Sequence, residues 1–125
     1  MKTICIYHSV DLDGWMSAAI VKHWFVETNK KDYYILNENG SIDKTAPGIS
    51  SNLLNFLGYN YGQPIPDLSD YDRVIICDIS FPKEEMSKLW HNLDKEIIWI
   101  DHHVSAIKQN SDLVWEGIQN TKFAA

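Results

Sequence analysis

Residues 96–104 read EIIWIDHHV, a short apolar run that ends in one aspartate and two adjacent histidines. A run of this kind is typical of a strand that is buried on both faces of a parallel sheet. Ionisable side chains are costly to bury unless a partner satisfies them. The stretch therefore predicts a buried strand that delivers polar groups to one edge of a sheet.

Two earlier segments share this pattern. Thr3–Tyr7 (TICIY) leads into HSVDLDG, and Arg73–Ser80 (RVIICDIS) is an apolar run that contains Asp78. A helix is predicted from about Gly14 to Glu27, and another over residues 81–93 (FPKEEMSKLWHNL), with Pro82 in its first turn. The alternation of strands and helices predicts one α/β domain over residues 1–125, a mainly parallel sheet flanked by helices.

The helix from Gly14 to Glu27 carries a set of mainly apolar residues at helical spacing: Met16, Ala19, Ile20, His23 and Trp24. These residues predict the helix and its apolar face, and His23 on that face is interpreted as a core or subunit-contact residue. His91 falls late in the helix of residues 81–93, where a basic side chain suits the helix dipole.

The remaining segments give weaker predictions. Asp32–Asn37 is predicted as a strand, residues 38–51 as a loop, and residues 51–59 (SNLLNFLGY) as a short helix that begins at Ser51 or Asn52 and ends at Gly58. Leu113–Ile118 is predicted as a final strand, and residues 120–125 (NTKFAA) as the start of a helix.

Composition limits the classes of function. The chain of 125 residues is 45% hydrophobic, as in globular proteins, and carries a net charge of -6, so it lacks the basic surface needed to grip long duplex nucleic acid. Cys5 and Cys77 lie in apolar runs and are predicted to be small buried residues, not a disulfide or a zinc set. No secretion signal and no apolar stretch of about 18 residues is found, so we expect a soluble cytoplasmic protein without a membrane partner.

Chemistry-bearing side chains follow three predicted strands: His8, Asp11 and Asp13, then Asp78, then Asp101, His102 and His103. Ligands bind outside the carboxyl ends of the strands in open parallel sheets, so one crevice collects all three sets. Alone, His8 could be a structural histidine, and Asp11 and Asp13 could be a helix cap and turn pair. Together the three sets favour a metal site.

Oxygen and imidazole donors without a thiolate suit Mn²⁺ or Mg²⁺, with Zn²⁺, Co²⁺ and Fe²⁺ left open. This many donors could hold two ions about 3.5–4 Å apart, bridged by a carboxylate and a water that attacks a phosphoryl centre.

The motifs HSVDLDG (8–14), CDIS (77–80) and DHH (101–103) give the chain a specific resemblance. In their order and spacing the sequence resembles the DHH phosphoesterase family, which includes RecJ-type exonucleases, oligoribonucleases that also cleave phosphoadenosine phosphate, exopolyphosphatases and family II inorganic pyrophosphatases. The resemblance implies a Rossmann-like domain that binds two ions, usually Mn²⁺.

The resemblance also implies individual roles. His8, Asp11 and Asp78 would hold one ion, and Asp13, Asp78 and His102 the other, so that Asp78 bridges. Asp101 would be a ligand or would orient a histidine. His103 would contact the scissile phosphate and assist the leaving group.

Two features depart from the family pattern. His8 and Asp11 are three residues apart, whereas many members have four, so the chain fits an H-x-x-D-x-D-G subgroup. A later metal-binding aspartate and a C-terminal substrate-binding domain of the family are not found, and Asp112 is too close to His103 to replace that aspartate. We therefore expect residues 1–125 to be the DHH catalytic domain, truncated at its C-terminus.

The expected function is that of a metal-dependent phosphohydrolase acting on a phosphodiester of a short oligonucleotide or nucleotide. A pyrophosphatase or exopolyphosphatase, and a non-catalytic nucleotide-binding module, remain as alternatives. The expected partner is a phosphorylated small molecule or short oligonucleotide, and the sequence leaves a homodimer open.

Overall fold

The computed structural model describes residues 1–30, 32–46 and 52–119, in which strands and helices alternate. In chain order the elements are β1 (Lys2–His8), α1 (Leu12–Asn29), β2 (Tyr34–Leu36), β3 (Ile42–Thr45), β4 (Leu53–Tyr59), β5 (Arg73–Cys77), α2 (Lys83–His91), β6 (Glu96–Ile100) and α3 (Val104–Gln109). The six strands form one sheet in the order β3-β2-β4-β1-β5-β6. The predicted fold class, a mainly parallel α/β sheet flanked by helices, is confirmed.

The sheet is parallel except where β3 pairs with β2. From β1 the chain first builds the side of the sheet that contains β2, β3 and β4, and then crosses to the other side to add β5 and β6. This reversal places a topological switch point at the carboxyl end of β1, where open α/β sheets bind ligands.

Strand β1 is buried on both faces, as expected for a central parallel strand. Ile4 and Ile6 pack in a cluster with Trp99 and residues of α2, whereas Cys5 and Tyr7 pack in a second cluster that α1 covers. Both cysteines of the chain are free and buried in this second cluster, as predicted. Burial on two sides fixes the position of the carboxyl end of β1.

The prediction of a helix over residues 51–59 was wrong. Leu53–Tyr59 is strand β4, which pairs in parallel with β1 along its whole length and with β2 on its other side. The segment contains leucines and asparagines but no β-branched residue, so its local propensity did not favour a strand. Burial between two strands, with Leu54 fully inaccessible, overrides that propensity.

The segment predicted as a loop over residues 38–51 contains strand β3, which pairs antiparallel with β2 and is exposed along its length. Strand β2 is shorter than the predicted Asp32–Asn37. An exposed edge strand lacks the apolar alternation by which a sequence shows a strand.

Helix α1 forms as predicted and is longer than expected, but the predicted apolar face is not its buried face. The buried residues are Gly14, Ala18, Val21 and Phe25. The residues of the apolar face predicted from spacing are exposed: Met16, Ala19, Ile20, His23 and Trp24. His23 is therefore not a core residue, and its alternative role in a subunit contact stays a prediction. The helix has apolar residues on more than one side, so periodicity alone did not select the face that the sheet covers.

The last described segment also differs from the prediction. Leu113–Ile118 does not form a strand but contributes to isolated bridges beside β6, where the Trp99 and Asp101 N–H groups donate to the carbonyls of Glu116 and Ile118. The six residues of α3 were not predicted, and the helix predicted over residues 120–125 lies outside the described residues. No helix among the described residues is both long enough and apolar enough to cross a membrane.

Candidate metal centre

The three predicted sets of side chains meet at the carboxyl edge of the sheet. His8 is the last residue of β1, Asp78 follows β5, and Asp101 follows β6. Because β1, β5 and β6 are adjacent and parallel, their ends lie side by side. The parallel topology therefore brings residues that are far apart in the sequence into one site.

The start of α1 adds two acids to this edge. Asp11 caps the helix, because its Oδ1 accepts a hydrogen bond of 2.9 Å from the Gly14 N–H, and Asp13 lies in the first turn. The interpretation of Asp11 as a cap is thus correct, and it does not exclude a second role. Asp11 Oδ2 points back toward β1 and lies 2.9 Å from His8 Nδ1.

His8, Asp11 and Asp78 form a first group of donors, whose ligand atoms lie within 4.8 Å of one another. His8 Nδ1 is 3.5 Å from Asp78 Oδ2 as well as near Asp11, yet it is buried and has no aligned hydrogen bond. Asp78 Oδ2 is also buried without a hydrogen-bond partner. Three converging donor atoms, two of them unsatisfied, are what a cation site requires.

A second group consists of Asp78, Asp101, His102 and His103, again with ligand atoms within 4.8 Å of one another. His102 Nε2 lies 2.6 Å from Asp78 Oδ1 and 3.8 Å from Asp13 Oδ2. Asp78 therefore belongs to both groups, using Oδ2 toward His8 and Oδ1 toward His102. All seven predicted site residues lie in these two groups or, for Asp13, within reach of the second.

Asp78 is the most constrained residue of the site. Its backbone has φ of +61°, a region that residues other than glycine seldom adopt, and its N–H donates to the Ile100 carbonyl at 2.8 Å. Burial raises the pKa of its carboxyl group, and the neighbouring Asp11 carboxyl group raises it further, although His102 acts in the opposite direction. The strained backbone and the unfavourable burial both indicate a functional position.

Asp11 shows the opposite shift. Burial alone would raise its pKa, but the Gly14 N–H, the neighbouring Asp78 carboxyl group and the nearby His8 together lower it. Asp78 therefore takes up a proton more readily than Asp11 does.

Asp101 organises the two histidines that follow it. Its Oδ1 accepts hydrogen bonds from the backbone N–H groups of His102 (2.7 Å) and His103 (3.2 Å) and from His103 Nδ1 (2.6 Å). His103 is thereby fixed with its imidazole stacked on that of His102, at 4.6 Å between ring centroids. Asp101 Oδ2 remains buried without a hydrogen bond, so it also retains capacity to bind a cation.

A close approach of helix to strand sets the geometry of the site. A Cβ atom at Gly14 would lie only 1.9 Å from the His8 carbonyl oxygen. Only glycine allows the start of α1, with Asp11 and Asp13, to approach the end of β1 this closely. Gly14 is thus a structural part of the site.

Two residues of the β4–β5 connection border the site and were missed. Asn60 Oδ1 lies 3.3 Å from His8 Nε2, and the Tyr61 ring lies 5.5 Å from the His8 ring and 6.4 Å from the His103 ring. They were missed because Leu53–Tyr59 was predicted as a helix. A parallel strand in that position would have placed the residues after Tyr59 at the same edge as the other site residues.

The residues present fit a divalent cation. The donors are carboxylate oxygens and imidazole nitrogens with no thiolate, the set that suits Mn²⁺, Mg²⁺ and other divalent first-row ions. Unsatisfied buried atoms on His8, Asp78 and Asp101 supply an independent indication, since buried polar atoms in native proteins are otherwise paired.

Comparison with known proteins agrees with this geometry. A search of curated proteins and a search of solved structures found no match. The family model of the DHH family, N-terminal domain, matches residues 3–122, which is nearly the whole chain and includes every residue of the two donor groups. The chain therefore belongs to the DHH family.

Proposed function

We propose that this protein is a divalent-cation-dependent phosphohydrolase that cleaves a phosphodiester of a short oligonucleotide or nucleotide. The observation that supports it most directly is the pair of donor groups that share the buried Asp78 at the switch point of the sheet. Membership of the DHH family suggests phosphoesterase chemistry, which such a centre can perform.

The proposed ligands are taken from the two groups and from Asp13, which lies within reach of the second. His8, Asp11 and Asp78 would hold one ion, and Asp13, Asp78 and His102 the other, with Mn²⁺ as the expected metal. When bound, such ions neutralise the charge of a phosphoryl group and lower the pKa of water. The carboxylates of the chain would hold the ions, and Asp78, which belongs to both donor groups, would be a ligand that the two ions share.

His103 is proposed to act on the leaving oxygen. Its Nδ1 donates to the Asp101 carboxylate, so its Nε2 is the ring nitrogen left for a substrate. The imidazole is one-third exposed, whereas Asp101 is buried, so the histidine lies between the interior of the site and solvent. A histidine held in this way can contact a phosphoryl oxygen and transfer a proton to the departing group.

A small phosphorylated substrate agrees with the charge of the chain. The net charge of -6 disfavours long nucleic acid, because neutralisation of many phosphates needs clustered lysine and arginine. Inorganic pyrophosphate or polyphosphate would suit the same donor groups and is the second candidate.

The test is hydrolysis of bis(p-nitrophenyl) phosphate, a short oligonucleotide and pyrophosphate in the presence of Mn²⁺. We expect the parent protein to cleave the diesters and Asp78→Ala to lose activity by more than about 100-fold. Asp94→Ala, which changes an exposed acid in the loop before β6, serves as the matched control and should remain active. Equal rates for the parent and Asp78→Ala would refute the proposal, and cleavage of pyrophosphate alone would favour the second candidate.

A further inference from the structure

We propose that Asn60 is a positioning residue that holds His8 with its proton on Nε2 and so presents Nδ1 to a cation. The inference rests on the proposed function only in that a divalent cation binds beside His8. It assigns a role to a loop residue outside the motifs that identify the family.

The orientation of the Asn60 amide is fixed by its own loop. Its side-chain oxygen, Oδ1, accepts a hydrogen bond of 2.9 Å from the Tyr61 backbone N–H, which can only donate. The same oxygen lies 3.3 Å from His8 Nε2. An amide oxygen cannot donate, so His8 Nε2 must carry the proton in this contact.

The other ring nitrogen of His8 is then free to bind a metal. In neutral imidazole a proton on Nε2 leaves the lone pair on Nδ1. That nitrogen faces Asp11 Oδ2 at 2.9 Å and Asp78 Oδ2 at 3.5 Å, and is buried without an aligned hydrogen bond. A lone pair and two carboxylate oxygens that converge on one point repel one another, and a cation between them removes that repulsion.

The turn that presents Asn60 is held by hydrogen bonds between its own residues and Tyr59. Gln63 Oε1 accepts from the Asn60 N–H at 2.6 Å, and the Gln63 N–H donates to the Asn60 carbonyl at 3.2 Å. The Tyr59 hydroxyl donates to the Gln63 carbonyl at 2.7 Å, and Gly62 has φ of +86°. Asn60 is therefore already in place before a cation binds.

Tyr61 restricts the same imidazole from a second direction. Its ring meets the His8 ring edge-on, at 5.5 Å between centroids and 71° between planes. The hydrogen bond to Asn60 fixes the direction of Nε2, and the contact with Tyr61 limits rotation of the ring about that direction. Outer contacts of this kind orient metal-binding histidines and are a recognised determinant of metal affinity.

The experiment compares Zn²⁺ and Mn²⁺ binding by calorimetry in the parent, Asn60→Ala and Asn60→Asp. We expect Asn60→Ala to weaken one of the two binding events by about 10–100-fold, and Asn60→Asp to restore it, since a carboxylate accepts from both His8 and Tyr61. Asn92→Ala is the matched control, because Asn92 accepts a similar local hydrogen bond from the Asp94 N–H in a loop outside the metal centre. It should bind as the parent does.

A spectroscopic readout tests the tautomer directly. In the Zn²⁺-loaded protein labelled with ¹⁵N, long-range proton–nitrogen correlations of His8 should show the proton on Nε2 and a metal-bound Nδ1. The opposite assignment, unchanged affinity in Asn60→Ala, or failure of Asn60→Asp to restore binding would each overturn the inference. Absence of binding in the parent would instead refute the proposed function, so the two failures are distinguishable.

Discussion

Substitution of Gly14 by alanine should move the start of α1 and weaken cation binding strongly, while it lowers the stability of the fold only modestly. The added Cβ would lie 1.9 Å from the His8 carbonyl oxygen and 2.7 Å from the carbonyl carbon, both backbone atoms that cannot rotate away. Ordinary contacts of a Cβ begin at 3.4 Å, so the start of the helix has to move by about 1.5 Å from the end of β1. That movement carries Asp11 and Asp13 away from His8 and His102.

Gly14→Ala should affect the folding free energy less than the affinity for a cation. Crowding of this kind costs about 1–3 kcal/mol of folding free energy, and alanine returns up to about 1 kcal/mol through its helix propensity. Bonds from oxygen to a divalent ion are only about 2.0–2.2 Å long, so a shift of this size removes ligands outright. We therefore expect modest destabilisation but a loss of cation affinity of about 100-fold or more.

Gly40→Ala provides the control. Gly40 has φ of +84°, so alanine there is strained by about 1–2 kcal/mol, but a Cβ at Gly40 would meet nothing within 4 Å. The two variants should unfold at similar temperatures, while calorimetry with Mn²⁺ distinguishes them. If Gly14→Ala binds Mn²⁺ as tightly as Gly40→Ala does, the close approach of helix and strand does not set the ligand geometry.

Three further changes test the site and the fold. Asp78→Asn should stabilise the metal-free protein, because it removes a buried charge whose pKa is raised, and should abolish stabilisation by Mn²⁺ in thermal unfolding. This gain in stability should shrink as the pH falls, because the raised pKa means that Asp78 is protonated at a higher pH in the folded parent than in the unfolded chain. A gain that grows on acidification would contradict the raised pKa of Asp78. Asp101→Ala should lower the rate of diester cleavage by about 100-fold, because it removes the oxygen that accepts from His103 Nδ1, while calorimetry finds the cation beside His8 and Asp11 still bound. An unchanged rate would contradict the role of Asp101. Leu54→Ala should cost about 2–5 kcal/mol in denaturant unfolding, because β4 is an inner strand, whereas the helix predicted from sequence would tolerate it better.

The parts of the fold that the sequence predicted are those in which local pattern and tertiary burial agree. Strands β1, β5 and β6 are short β-branched runs; β1 and β5 are mostly buried, whereas β6, at the end of the sheet, is half-buried with Trp99 as its buried residue. Because the predicted ligands follow these three strands, their meeting at one edge could be expected from parallel topology alone. The helix capped by Asp11 was also predicted, although its core face was not.

The predictions that were wrong share one physical cause, which is that contacts distant in the sequence decide the structure of these segments. Strand β4 holds its conformation through hydrogen bonds to β1 and β2, partners that a local window of sequence does not contain. The core face of α1 is likewise chosen by the sheet it meets, since the helix offers Ile20 and Trp24 on one side and Val21 and Phe25 on another. Asn60 was missed for the first of these reasons, because its position depends on where β4 ends.

The role of Asp101, which the sequence left open between ligand and orienting group, follows from how its two oxygens are used. Oδ1 accepts three N–H groups from His102 and His103, whereas Oδ2 is buried and accepts none. Asp78 divides its oxygens in the same way, with Oδ1 on His102 and Oδ2 unsatisfied beside His8. Each buried aspartate thus holds a histidine with one oxygen and has no hydrogen-bond partner for the other. The fold carries the cost of two unsatisfied buried oxygens, and that cost is what the binding of a divalent ion would relieve.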